Sequence, residues 1–201
     1  MDAGLHRNIV HLCGTLGGRP RFSHWARTVE YYIFPLVVTR SSGAEDQLNI
    51  LVSREMLSQI PLTDAPKIAV SGELRSFNNR TGSGSRLILS VFARTMDLVH
   101  EHEENEISLR GVICKPPILR KTPLGREICD LCLAVRRRYG RADYLPLIAW
   151  GQTAAHVATM PVGAVLDVKG RVQSRGYTKV EGEKKTERVA FEVSVRTVNG
   201  T

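Results

Sequence analysis

Asn8-Ile-Val-His-Leu-Cys-Gly14 returns about 98 residues later as Asn105-Glu-Ile-Ser-Leu-Arg-Gly111, and two further stretches follow at nearly the same offset. Ile68-Ala-Val-Ser-Gly-Glu-Leu74 returns as Leu166-Asp-Val-Lys-Gly-Arg-Val172, and Leu87-Ile-Leu-Ser-Val-Phe-Ala-Arg-Thr95 as Val189-Ala-Phe-Glu-Val-Ser-Val-Arg-Thr197. One long-period repeat means two copies of a module rather than a solenoid. The expected organisation is a first module over 6–99, an acidic linker over 100–106 and a second module over 107–199. Each module is long enough to bury a small core.

Inside each module the pattern is that of strands. In Ile128-Cys-Asp-Leu-Cys-Leu-Ala-Val-Arg136, Cys129, Leu131, Leu133 and Val135 share one face, and Asp130, Cys132, Ala134 and Arg136 the other. Val189, Phe191, Val193 and Val195 alternate in the same way with Arg188, Ala190, Glu192 and Ser194. Turn signals separate the runs at Ser42-Gly43, Thr81–Ser85, Thr122-Pro-Leu-Gly125, Tyr139-Gly140 and Glu181-Gly182. Short helical stretches near Arg54–Ile60 and Gln152–Met160 fall between the third and fourth strands, and Pro61 and Pro161 close them. Five strands with one helix between the third and fourth is the element order of an OB-fold barrel. The predicted fold is all-β: two five-stranded OB-fold barrels in tandem. A pair of β-sandwiches would not explain where the helices fall.

The charge is unevenly placed. Residues 1–100 hold 11 Lys and Arg against 8 Asp and Glu, 101–106 hold four acids, and 107–201 hold 17 bases against 8 acids. A basic second module points to a polyanionic partner. No apolar run approaches the ~20 residues that span a bilayer, and Met1-Asp-Ala-Gly4 lacks signal-peptide character. The expected location is cytoplasmic and nucleoid-associated, with four reduced cysteines.

The chemistry gathers in the second module. Tyr144-Leu-Pro-Leu-Ile-Ala-Trp150 turns Tyr144, Pro146, Ile148 and Trp150 outward. Arg136-Arg-Arg-Tyr139-Gly-Arg141 lies upstream, and Arg175-Gly-Tyr177-Thr-Lys179 opens a charged hairpin with Lys184 and Lys185 at its tip. Rings interleaved with cations suit single-stranded nucleic acid: exposed bases stack on the rings at about 1–3 kcal/mol each, and the cations track phosphates. A duplex, its bases already stacked, would not need the rings.

Residues 105–198 resemble the bacterial single-stranded DNA-binding protein family. The similarity runs through Ile107-Ser-Leu-Arg-Gly-Val-Ile113, Pro117 with Thr122-Pro-Leu-Gly125, Leu131-Cys-Leu-Ala-Val135, Trp150-Gly-Gln-Thr-Ala154, Val168-Lys-Gly-Arg-Val-Gln-Ser-Arg175 and Phe191-Glu-Val-Ser-Val195. The resemblance implies four base-stacking positions, here Tyr139, Tyr144, Trp150 and Tyr177. Phosphates would be met by Arg136, Arg138, Arg141, Arg175, Lys179, Lys184 and Lys185. Arg137 is set apart, because Arg136 and Arg138 share a face if the strand continues.

In the first module the same alignment places Gly43 near Tyr139, Gln47 near Tyr144 and Ser53 opposite Trp150; only Phe77, after Arg75, is aromatic. This copy is expected to have lost the stacking platform and to keep a structural or dimerising role. Its Tyr31, Tyr32 and Phe34 lie in a run that reads as core or interface.

Other features carry less. Cys129 and Cys132 point to opposite faces of one strand and no second pair exists, so no zinc site is expected. Cys13 and Cys114 read as small hydrophobes, His100-Glu-His102 as solvated linker and His156 as structural. Thr81–Ser85 lacks the GK[ST] ending of a phosphate-cradling loop. No catalytic constellation is recognisable, so no enzyme activity and no cofactor are expected.

The function implied is sequence-tolerant binding and protection of single-stranded DNA in replication, recombination or repair. Family members commonly assemble four OB-folds, which implies a homodimer here, with replication or repair proteins as further partners and no membrane. The family usually ends in a tail with an acidic, hydrophobic tip. Val198-Asn-Gly-Thr201 follows almost directly on the last predicted strand, so coating alone, or recruitment through another surface, is expected. The alternatives are a primosome-type accessory whose OB surface docks a replication protein, and an RNA-binding OB protein.

Overall fold

Alternation of buried and open side chains builds the strands and dictates how they close. In Lys67–Asn78, Ile68, Val70, Gly72 and Leu74 are buried while Ala69, Ser71 and Glu73 are only partly so. The computed structural model describes residues 6–62, 65–78, 87–100, 103–137, 140–181 and 184–200, with the backbone alone at 177, 179–181, 184 and 188. The expected tip at Thr81–Ser85 lies outside these residues.

The first repeat contains β1 (Arg7–Leu16), β2 (Arg21–Ala26), β3 (Val29–Thr39), β4 (Glu45–Ser53), α1 (Arg54–Ser58), β5 (Lys67–Asn78) and β6 (Leu87–Leu98). β1 pairs antiparallel with β3 and β5, and β5 with β6. β6 runs parallel to β4 at Ile50↔Val91, and β4 returns to β3, so five strands form a closed ring. α1 stands between the third and fourth strands of that ring. β2 is an additional, fully exposed edge strand that among the described residues pairs with β3 alone. Val10, Leu12, Phe34, Leu36, Leu48, Ile50, Ile68, Val70, Leu74 and Val91 fill the interior.

The second repeat follows the same path with β7 (Glu104–Ile113), β8 (Ile118–Lys121), β9 (Glu127–Arg136), β10 (Ala142–Trp150), α2 (Gly151–Ala158), β11 (Val165–Glu181) and β12 (Lys184–Gly200). Its ring runs β7, β9, β10, β12, β11 and back to β7, with β8 as the additional edge strand. Leu109, Ile113, Leu133, Leu145, Leu147, Val168 and Val193 are buried inside. Val189, by contrast, is half exposed, because β12 runs well beyond the barrel at that end. The chain is therefore two OB-fold barrels in tandem. β7 takes up 104–106 of the acidic stretch.

Two compact units arise. One holds residues 10–105 together with 173–191, and the other holds 6–9, 106–172 and 192–200. In the second unit Arg7 donates from Nε to Ser108 Oγ at 2.8 Å, and Arg7 and Arg110 both pair with Asp167 at 2.5 Å.

Ring closure explains which glycines recur. A Cβ on Gly14 would stand 2.3 Å from Val37 O, and one on its counterpart Gly111 2.7 Å from Ala134 O. On Gly72 it would stand 2.1 Å from Phe92 O, and on Gly170 2.2 Å from Ser194 O. These are the points where neighbouring backbones meet too closely for any side chain.

Candidate nucleic-acid interface

β10 is the strand that presents the rings. It pairs with β9 along its whole length, from Ala142↔Arg136 to Trp150↔Ile128, and with β12 near Leu147 and Ile148. Leu145, Leu147 and Ala149 point into the barrel and are buried. On the other face Tyr144 is 52 % and Trp150 40 % exposed, with Pro146 half-buried between them. Ile148 departs from the outward reading, being only 4 % exposed. It lies in register with both Asp130 on β9 and Ser194 on β12, so ring closure flanks it on both sides.

Trp150 occupies the N-cap of α2 and makes no capping hydrogen bond. Its counterpart Ser53 caps α1 by accepting from the Met56 N–H at 3.2 Å. A capping serine is typically worth about 0.5–2 kcal/mol. The second repeat forgoes that contribution and carries a half-open indole instead.

The arginine run divides by partner. Arg136 and Arg141 are exposed at the end of β9 and the start of β10. Arg137 faces Asp143, which is fully buried on the inward side of β10: its Nε donates to Oδ2 at 2.8 Å and its Nη2 to Oδ1. The first repeat builds the same fork from Arg40 Nε and Nη2 onto buried Asp46, at 2.7 and 2.5 Å. The Arg40 N–H to Ala44 O turn bond also recurs, from Arg137 N–H to Arg141 O. Sequence reasoning missed this pair. The available signal was an Arg-x5-Asp spacing that repeats, with the acid at a position whose neighbours two and four along face the core.

Arg138 and Tyr139 lie outside the described residues. Arg175 and Lys185 are exposed on β11 and β12. Tyr177, Lys179 and Lys184 belong to the same hairpin, and their side chains lie outside the described residues. The hairpin, 173–191, counts with the unit of residues 10–105. Of the residues singled out from sequence, Arg136, Arg141, Tyr144 and Trp150 therefore fall together on one short stretch of one unit.

In the first repeat the counterpart of Tyr144 is built into the fold. The Gln47 N–H donates to Ser174 Oγ at 3.0 Å, and the Ser174 N–H donates to Asp46 Oδ1 at 2.8 Å. Phe34 is core, Tyr31 and Tyr32 are half-buried, and Phe77 is exposed near the end of β5. Sequence reading overlooked Phe22 and Trp25, which stand 52 % and 59 % exposed on β2. Arg21-Phe-Ser-His-Trp-Ala-Arg27 has the same interleaving of rings and cations that singled out the second module.

Among the described residues no group of three or more His, Cys, Asp or Glu side chains could hold a metal ion. Cys129 is buried in the core. Cys132 faces the other way, and burial followed by the neighbouring Cys114 pushes its thiol up to about 12. The Cys114 thiol itself donates to Cys132 O at 3.2 Å. Among the described residues no helix is long and apolar enough to cross a membrane.

Comparison with known proteins adds a family. The sequence profile described as the single-strand binding protein family matches residues 104–199. Single-stranded DNA-binding protein 3 of Clostridium acetobutylicum is 37 % identical over 98 residues, covering 44 % of this chain and 68 % of that protein. Single-stranded DNA-binding protein 1 of the same organism is 37 % identical over 99 residues, covering 44 % of this chain and 90 % of its own length. The crystal structure of the wild-type single-stranded DNA-binding protein from Thermus aquaticus superposes with a TM-score of 0.78 at 22 % identity. The match covers 96 % of this chain and 92 % of the other, and it shows a shared fold.

Proposed function

The chain belongs to the single-strand binding protein family, and from that membership we propose that it binds single-stranded DNA without strong sequence preference through the outward face of β10. Tyr144 and Trp150 stack bases, joined by Tyr139 and Tyr177. Arg136, Arg138, Arg141, Arg175, Lys179, Lys184 and Lys185 neutralise phosphates. Coating of this kind protects exposed strands during replication, recombination or repair.

The observation that carries the proposal is Trp150. A half-exposed indole stands at a helix N-cap where the sister repeat has a capping serine. Folding does not call for a ring there; an unstacked base does. The first module, 6–99, serves as scaffold and as the dimerising half of a homodimer that presents four OB-folds. Light scattering at several protein concentrations tests that assembly.

Binding is tested by titrating labelled dT oligonucleotides of increasing length at two salt concentrations. Tight, length-dependent binding that weakens as salt rises is expected, because displaced counterions oppose it. No binding to bare dT at low salt refutes the proposal and turns the aromatic face toward a protein partner. Competition with poly-U separates DNA from RNA preference.

A further inference from the structure

The β2–β3 ribbon of the first repeat carries a second cluster of rings, on strands other than β4, which holds the Gln47 and Ser53 that correspond to Tyr144 and Trp150. Phe22 is in register with Tyr32, His24 with Tyr31 and Trp25 with Glu30, with a bulge between Phe22 and His24. Tyr31 and Tyr32 are neighbours on one strand and so point to opposite faces. On one face Phe22 meets Tyr32 edge-on at 6.0 Å and Trp25 at 6.4 Å. On the other face His24 stacks on Tyr31 at 5.3 Å, with 12° between the planes. Tyr31 reaches Phe92 at 5.6 Å, and the Arg94 guanidinium lies 4.8 Å over Phe92. Tyr31 is the direct cross-strand partner of Ser53, the counterpart of Trp150.

Three features give the ribbon a ligand chemistry. All six residues of β2 are exposed, and Phe22 and Trp25 keep more than half of their surface in water. Arg19, Arg21 and Arg27 are also exposed and form no ion pair among the described residues. The sole acid of the stretch 19–32 is Glu30, which is already paired with Arg54 at 2.8 Å. Finally, Arg27 adopts φ +53° at the turn between β2 and β3. Such a left-handed turn suits Gly or Asn and is strained for other residues. The chain nevertheless sets an exposed arginine there, two residues after the exposed Trp25.

We propose that this ribbon is a second contact surface for single-stranded nucleic acid, with Phe22 and Trp25 stacking bases and Arg19, Arg21 and Arg27 meeting phosphates. The proposal rests on the single-strand-binding function proposed above and adds a distinct surface to it. Open ring faces with uncompensated cations match a polyanion whose bases are unstacked; a duplex offers the phosphates and no free base faces. Rings and arginines also suit a protein interface; what favours a polyanion is the excess of three exposed arginines over a single acid that Arg54 already neutralises.

The protein holds two tryptophans, Trp25 and Trp150, one in each repeat, so the two surfaces can be read separately. In the full chain, Trp150→Phe leaves Trp25 as the reporter, and Trp25→Phe leaves Trp150. Each variant is titrated with dT oligomers from about 4 nucleotides upward, spanning and exceeding the range that one OB-fold occupies. Long oligomers are expected to quench Trp25 as well as Trp150. Phe22→Ala combined with Arg21→Ala and Arg27→Ala is expected to weaken binding of long oligomers at least about fivefold, the smallest loss anticipated for one stacked base. It should also flatten the salt dependence. Quenching of Trp150 with Trp25 unmoved at saturation, and no loss in the triple variant, overturns the second surface and leaves the first intact. Failure of both tryptophans to respond overturns both.

Discussion

Removing the two rings of β10 separately and together tests the proposed function quantitatively. Tyr144 and Trp150 are six residues apart on one strand, which at about 3.3 Å per residue places them about 20 Å apart. They cannot sandwich one base and must serve different ones. Their losses should then add, as they do for sites more than about 10 Å apart without shared partners. Stacking is worth about 1–3 kcal/mol per base. With 52 % of Tyr144 and 40 % of Trp150 exposed, roughly half of each residue's surface is already covered by protein. The lower part of that range therefore applies, about 1–2 kcal/mol or 5- to 30-fold per ring. Leucine is the substitution of choice, because it keeps apolar bulk against the barrel while removing the flat face. Fluorescence anisotropy of a labelled dT oligomer at fixed salt gives the four dissociation constants of the cycle, and circular dichroism confirms that the variants are folded. Tyr144→Leu and Trp150→Leu should each weaken binding within that window, and the double variant by their product to within about 0.5 kcal/mol. A double variant no weaker than either single one would mean that the rings act as one unit, which the strand geometry forbids. Wild-type affinity in all three would show that this face does not meet bases.

Three further outcomes follow from the barrels themselves. Gly170→Ala should destabilise by about 1–3 kcal/mol, as overpacking does, because its Cβ would lie 2.2 Å from Ser194 O. Gly176→Ala on the same strand meets nothing within 4 Å and should be neutral or slightly stabilising; paired urea melts compare the two. Asp143→Asn leaves the largely buried Arg137 without its carboxylate and should cost about 3 kcal/mol, near the lower end for a broken buried pair, measured in the same melts. The Cys132 thiol, pushed from about 9 to about 12, stays protonated in the folded chain while the unfolded one ionises. Stability should therefore fall as pH rises from about 9 toward 12, and Cys132→Ala should remove that part of the decline in melts at stepped pH.

The sequence made the barrels legible because its recurring signals answer to backbone geometry. Gly14 with Gly111 and Gly72 with Gly170 are fixed by strand closure, and the alternation in β5 and β9 is the imprint of one buried face. The edge strands β2 and β8 left no such imprint, because every residue on them is exposed and there is no apolar period to detect. Asp46 and Asp143 escaped for the opposite reason: each sits at a core-facing position, where an arginine six residues earlier forks onto it, joined at Asp46 by the Ser174 N–H. Ile148 follows outward parity yet is covered, since burial there depends on two neighbouring strands rather than on its own. Tyr144 and Trp150 were legible as outward-facing, and so as candidates for a ligand, because large rings at such positions have no interior to fill. Phe22 and Trp25 satisfy the same criterion, but the fully exposed strand that carries them has no apolar alternation by which outward positions could be told from inward ones.

Comparing the repeats position by position separates what folding needs from what it leaves free to vary. The four closing glycines, the Arg40–Asp46 and Arg137–Asp143 forks and the turn bonds at Arg40 and Arg137 are the same in both copies, and all lie where backbone crowding or a buried charge leaves no choice. Gln47 against Tyr144 and Ser53 against Trp150 differ, and all four lie at outward positions or helix caps. At such sites a substitution changes stability by little more than a cap, about 0.5–2 kcal/mol, while under the proposed function a ring added there would gain a stacking contact of similar or larger size. One barrel can therefore exchange its surface chemistry without disturbing its interior. In the second copy the rings stand on β10; in the first they stand on β2 and β3, where an edge strand outside the closed ring leaves both faces free to carry them.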